Sequence, residues 1–198
     1  MLLCLPRITS WQERTDAFWF LALVLAWCLF VMWGFVFAWE SVHGLAKPLA
    51  FPGNIKIWAT LPIIGLALGT FLRLAVDPAF RAVFPRDYPI SVSGWIHQTL
   101  FQLAFVEVFL CYAPLAFFAR LCPNHNVVAG LVVGLNVFVL VVKLGTVPEL
   151  PPIDSVGALF AYRAGVTIGA IWLYRWGGIW PVSLLVLTIQ SRHLMELR

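Results

Sequence analysis

The chain has 198 residues, of which 62% are hydrophobic and only 11% charged, and its formal net charge is +4. Soluble domains carry about 25% charged residues, so a soluble enzyme is excluded. The 13 Lys and Arg are spread over short segments rather than gathered into a patch, which gives no nucleic-acid signal.

Apolar runs long enough to span a bilayer recur along the chain. They predict an all-α, polytopic transmembrane bundle of six helices, over residues 17–39, 57–76, 94–121, 127–144, 155–174 and 179–194. The first follows Arg14 and Asp16 and reads as a retained anchor; the residues before Pro6 are too few for a signal peptide. Pro48 and Pro52, then Pro78, Pro85 and Pro89, then Pro123, then Pro148, Pro151 and Pro152 punctuate the gaps. Only Gly177 and Gly178 separate the last two spans, so these form a tight antiparallel hairpin. The whole of 1–198 reads as a single transmembrane domain, with two helices and their loops over 1–92 and a four-helix unit over 93–198.

Orientation follows from the basic residues. With the N-terminus inside, the cytoplasmic side holds Arg7, Arg14, Arg73, Arg81, Arg86, Lys143, Arg192 and Arg198, and the opposite side Lys47, Lys56, Arg120 and Arg175. That bias predicts that both termini are cytoplasmic. Trp19, Trp39, Trp58, Trp95, Trp172, Trp176 and Trp180 fall near span ends, as an aromatic belt does; Trp27 and Trp33 lie deeper. Three spans carry Gly-x-x-x-Gly, as Gly65/Gly69, Gly130/Gly134 and Gly165/Gly169. Small residues one turn apart let helix backbones approach in lipid, so all three pairs are candidate packing sites.

Polar groups at membrane depth are expensive and therefore informative. Glu107, Asn136 and Arg163 lie near the middle of three different spans, and are expected to meet as one buried polar cluster, with Glu107 and Arg163 in direct contact. At α-helical spacing Glu107 shares a face with His97, Leu100, Ala104 and Cys111, with Gln98 and Gln102 beside it. The cluster reads either as an intramembrane site or as an ion pair that pins two helices together. Lys143, nearer the cytoplasmic edge, is expected to snorkel. His97, His125 and His193 show no ligand spacing, and Cys4, Cys28, Cys111 and Cys122 form no Cys-x-x-Cys pair, so no metal site is expected. A lone His97 as an axial ligand to haem or another pigment stays open.

Near the end of the chain stands Gly178-Ile179-Trp180-Pro181, after a helix bearing Gly165 and Gly169 and before a final apolar helix. This order resembles the C-terminal half of the CAAX-protease-like intramembrane protease family (CPBP, or Abi), over about residues 98–193. The family's paired-glutamate motif, Glu-Glu-x-x-x-Arg, falls on Val106, Glu107 and Cys111, so only the second glutamate is present. Its Phe-x-x-x-His falls on Phe138 and Val142, and its final His-x-x-x-Asn on Val186 and Gln190. The family cleaves peptide bonds in or near the membrane through a water activated by these groups. With valines at both histidine positions, the resemblance implies a degenerate member with no catalytic residues, Glu107 being the one remaining candidate.

Three functions follow as expectations. The first is a catalytically inactive CPBP-like protein serving as scaffold, assembly factor or accessory subunit of a membrane complex, including a pigment–protein complex. Its partners would be other integral membrane proteins and lipids; no cofactor is required, though a bound lipid or pigment fits. The second is an intramembrane endopeptidase using Glu107. The third is a small-molecule or lipid binder, or carrier, with Glu107, Asn136 and Arg163 at a midplane site.

Overall fold

The computed structural model describes residues 15–40, 48–51, 53 and 55–197, and among them only helices and turns occur. The helices are α1 (Thr15–Glu40), α2 (Ile55–Ala75), α3 (Asp77–Val83), α4 (Val92–Phe101), α5 (Ala113–Leu121), α6 (His125–Leu144), α7 (Ile153–Gly177) and α8 (Ile179–Gln190). Among the described residues five stretches are long and apolar enough to cross a membrane, namely Phe18–Ala38, Lys56–Ala75, Val92–Leu121, His125–Leu144 and Ile153–Gly177. The chain is a multi-pass helical membrane protein.

Its exterior fits that solvent. Among the described side chains of α1 only Ala22 and Val36 are buried, while Trp19, Phe20, Leu23, Trp27 and Phe30 point outward. Large apolar side chains cover such a surface at no cost where the surroundings are hydrocarbon, and backbone groups there are satisfied inside each helix. The core lies where α1, α6, α7 and α8 meet the middle of the third span. Val36, Val108, Tyr112, Val132, Tyr174 and Val182 are fully enclosed there, and the Tyr112 and Tyr174 rings stack with centroids 4.6 Å apart.

Local sequence sets the helix ends. Ser91 Oγ accepts from the Gly94 amide at 3.1 Å, capping α4, and Asn124 Oδ1 accepts from the Asn126 amide at 2.9 Å, capping α6. Gly178 takes φ 71° between α7 and α8, a left-handed conformation that costs glycine nothing, and this makes the expected tight hairpin. The proline-rich stretch after α2 holds more order than its punctuation predicts: Pro78 starts α3 within its first turn, and Pro85–Asp87 forms a 3₁₀ turn.

Two features depart from the sequence reading. The third span is helical throughout, but Gln102–Val106 and Val108–Tyr112 are wound as π-helix on either side of Glu107. The last segment is a 12-residue α8 followed by the 3₁₀ stretch Ser191–Glu196, rather than one long helix. Twelve residues fall short of the roughly 20 that a single α-helix needs to cross. Polar residues from Thr188 onward divert the chain: the Thr188 and Ser191 hydroxyls bond backbone carbonyls, and Arg192 turns inward to an acidic partner.

Helix α8 lies tightly against α2, and one Gly-x-x-x-Gly pair explains how. A Cβ on Gly65 would sit 1.9 Å from Thr188 Oγ1, and one on Gly69 3.1 Å from the Ile189 carbonyl oxygen. The other two pairs are not used in this way. A Cβ on Gly130, Gly134, Gly165 or Gly169 would meet nothing within 4 Å. Gly130 and Gly134 face outward on α6, and Gly165 and Gly169 line a groove described below.

Candidate functional site

The C-terminal ends of α2, α4, α6 and α8, the π-wound stretch after α4 and the first half of α7 surround a cavity of about 610 Å³. It extends from a charged rim toward the middle of the bundle. Along α6 it runs from Lys143 to Asn136, seven residues or about 10 Å of helix rise. Most of its wall is apolar, including Phe101, Leu110, Val139, Leu159, Val166 and Val186. A volume in this range, with apolar wall and polar groups converging on it, is that of a small-ligand site.

The deep end holds the three residues singled out from sequence. Glu107, Asn136 and Arg163 all line the cavity, and Glu107 and Arg163 form no direct ion pair. The Glu107 carboxylate accepts from Gln102 Nε2 at 3.0 Å instead. The Arg163 guanidinium acts on Glu107 through space and makes no hydrogen bond or ion pair to another described side chain. Asn136 is buried, and its amide nitrogen donates to the Leu110 carbonyl at 2.7 Å and the Val132 carbonyl at 3.0 Å. Its carbonyl oxygen is left to accept.

The π winding explains the Glu107 arrangement. In a π turn the backbone bond spans five residues instead of four, and here the Glu107 amide bonds the Gln102 carbonyl. The side chains of Gln102 and Glu107 therefore stand one above the other. The face turned to the cavity carries Gln98, Phe101, Gln102, Val106, Glu107 and Leu110. This corrects the α-helical expectation, which joined Glu107 to His97, Leu100, Ala104 and Cys111. Cys111 is buried in the core, and His97 lies off the cavity with Nε2 3.0 Å from Ser93 Oγ, a contact that engages the nitrogen an axial ligand would use.

The rim is a network of charges that sequence reading missed. Arg192 Nε lies 3.0 Å from Asp77 Oδ2, and the Tyr88 hydroxyl donates to Asp77 Oδ1 at 3.1 Å. Burial and the Asp77 carboxylate push the Tyr88 phenol above its ordinary pKa range. Lys143 pairs with Asp87 and covers the Phe84 ring, rather than simply reaching for solvent. Gln98 Nε2 donates to the Asp87 carbonyl at 2.7 Å, and Trp95 Nε1 to the Gln190 carbonyl at 2.8 Å. His193 is buried at the rim, edge-on to Tyr88. These bonds tie the segment from Asp77 to Tyr88 across the cavity mouth to α4, α6 and the end of α8. The clue in the sequence was Asp77 and Asp87 on either side of Arg81 and Arg86, in the one interhelical segment rich in both signs.

Beside the cavity lies a second, apolar space of about 440 Å³ between α2, α7 and α8. Gly165, Gly169 and Ala161 open it by presenting little side chain, and Tyr162 and Val166 line both spaces. Among the described residues no group of three or more His, Cys, Asp or Glu is placed to hold a metal ion. Of the positions aligned with the CPBP motifs, Val106, Glu107, Val186 and Gln190 line the cavity, Cys111 is buried, and Phe138 and Val142 lie on the exposed face of α6. Comparison of the chain with protein-family models, curated proteins and solved structures finds no match.

Proposed function

We propose that this chain is a non-proteolytic, CPBP-like integral membrane protein that binds a small amphiphile in the cavity between its helices. The observation that carries the reading is the convergence of Glu107, Asn136 and Arg163 on one cavity of about 610 Å³ that joins apolar wall to a charged rim. Ionisable groups kept at membrane depth mark ligand or ion sites. Hydrolysis is the weaker use of this site. Water activation needs a base and a partner that stabilises the developing charge around one water, and Glu107 is engaged by an amide, with Val186 at one histidine position and Val142 turned outward.

In the topology we propose, both termini are cytoplasmic and the last segment makes a sixth crossing. Twelve α-helical residues and six 3₁₀ residues reach about 30 Å together, comparable with the hydrocarbon thickness. The charged rim then lies at the cytoplasmic side.

The test is photo-crosslinking in vesicles with a phospholipid carrying a diazirine in its acyl chain, with adducts mapped by peptide mass spectrometry. Adducts on the cavity faces of α4 and α6, competed by excess unlabelled lipid, support the reading. Adducts confined to outward faces such as that of α1, unaffected by competitor, refute it.

A second reading, an accessory subunit of a membrane complex, is favoured by the outward face of α6. Gly130 and Gly134 there have open space where a neighbouring helix would approach. Disulfide trapping of Gly134→Cys in native membranes tests it: a discrete crosslinked partner supports a subunit, and an uncrosslinked chain opposes one.

A further inference from the structure

We infer that the ligand is a phospholipid-like amphiphile with a zwitterionic headgroup, its anionic group on Arg163 and its primary ammonium on Glu107 and Asn136. The inference rests on the amphiphile reading above and names the ligand class. It follows from what the deep end of the cavity leaves unmet. Arg163 offers a guanidinium fork with no bond to another described side chain. Glu107 receives one amide donor, at Oε1, and Asn136 spends both amide protons on carbonyls and keeps its oxygen to accept. The site therefore asks for an acceptor of negative charge at one place and for N–H donors at another.

Charge balance narrows the choice. At the rim Lys143 is paired with Asp87 and Arg192 with Asp77, so those four charges cancel. Deeper in, Glu107 and Arg163 bring one formal charge of each sign. A purely anionic headgroup would meet Arg163 but bring like charge toward Glu107, and a purely cationic one would do the converse. A zwitterion satisfies both and leaves the membrane interior neutral. A primary ammonium suits Glu107 and Asn136 better than a quaternary one, because it supplies three N–H donors and the quaternary group none. The apolar wall and the volume call for more than a headgroup, and an acyl chain has the adjoining groove at Gly165 and Gly169.

Native mass spectrometry of the full chain in mild detergent tests this with equimolar phosphatidylethanolamine, phosphatidylcholine, phosphatidylglycerol and diacylglycerol, and with glycerophosphoethanolamine as the chain-free headgroup. Phosphatidylethanolamine is expected to be retained over each of the others by about ten-fold, the discrimination that one charge-assisted hydrogen bond supplies. Arg163→Gln and Glu107→Gln are each expected to abolish that preference, whereas Trp27→Leu on the outward face of α1 should leave it unchanged. If either cavity variant does not fold, the ranking on the unaltered chain still decides. Equal or stronger retention of phosphatidylglycerol overturns the zwitterion assignment while leaving the cavity a lipid site. Binding of glycerophosphoethanolamine as strong as that of the intact lipid overturns the lipid source. Preference that survives in both folded variants places the lipid elsewhere and overturns the inference. Retention of none of the five, together with crosslinks confined to outward faces, overturns the amphiphile reading as well.

Discussion

Replacing Gly65 by alanine should separate two helices that the native chain holds in near-backbone contact. The added Cβ would lie 1.9 Å from Thr188 Oγ1, about 1.5 Å inside the 3.4 Å at which ordinary contact begins. Thr188 cannot swing aside without loss, since its hydroxyl bonds the Leu184 and Leu185 carbonyls, each at 2.9 Å. Even a rotated hydroxyl leaves Thr188 Cβ at 2.8 Å and the Leu185 carbonyl at 3.2 Å, so α8 itself must move. Overpacking of this kind costs about 1–3 kcal/mol, offset by up to about 1 kcal/mol of helix propensity. A net loss of about 1–2 kcal/mol is expected in thermal unfolding followed by circular dichroism in a single detergent. Gly130→Ala, where a Cβ meets open space, should be neutral or slightly stabilising. Adding Thr188→Ala to Gly65→Ala should recover part of the loss. A Gly65→Ala protein as stable as Gly130→Ala would refute the close approach of α2 and α8.

At the rim, Asp77→Ala should cost roughly 3–5 kcal/mol, because it strands Arg192, whose side chain is only 13% exposed; Asp77→Leu with Arg192→Met should restore much of the loss in the same unfolding assay. The Tyr88 phenol titrates above its ordinary 10.0 in the folded chain, so folding favours its protonated form. Its contribution is fully present below pH 10 and is lost as pH rises beyond that, so unfolding curves should show falling stability above pH 10 that Tyr88→Phe reduces. Reporter fusions at the C-terminus and at Phe51 should lie on opposite sides of the membrane, and the same side for both would contradict the six-crossing topology.

Much of this fold was legible because a membrane writes its constraints plainly. Long apolar runs had to be helices, and Gly177-Gly178 had to turn sharply before Ile179. Glu107, Asn136 and Arg163, expected near the middle of their spans because polar groups at that depth avoid lipid, line one cavity. What failed was angular. The reading assumed four-residue hydrogen-bond spacing through the third span, and π turns at Gln102–Val106 and Val108–Tyr112 rotate Glu107 toward Gln102. Apolar residues on both sides of Glu107 gave no local sign of that winding, which is set by packing. The glycine pairs behaved similarly: spacing alone does not tell Gly65/Gly69, pressed on α8, from Gly130/Gly134, which face outward. The rim was missed because its partners come from distant segments, as with Asp77 and Arg192, and no local pattern links them.

The central claim, that the cavity holds an amphiphile, is tested most directly by quantifying the lipids that co-purify with the unaltered chain and with Leu159→Trp. Leu159 is a half-buried wall residue of the cavity, and an indole there would occupy part of the ligand's space. The account predicts about one tightly held amphiphile per chain through extensive detergent washing, and its loss from a folded Leu159→Trp protein. No stoichiometric lipid on the unaltered chain, or the same lipid in the same amount on both proteins, would contradict it.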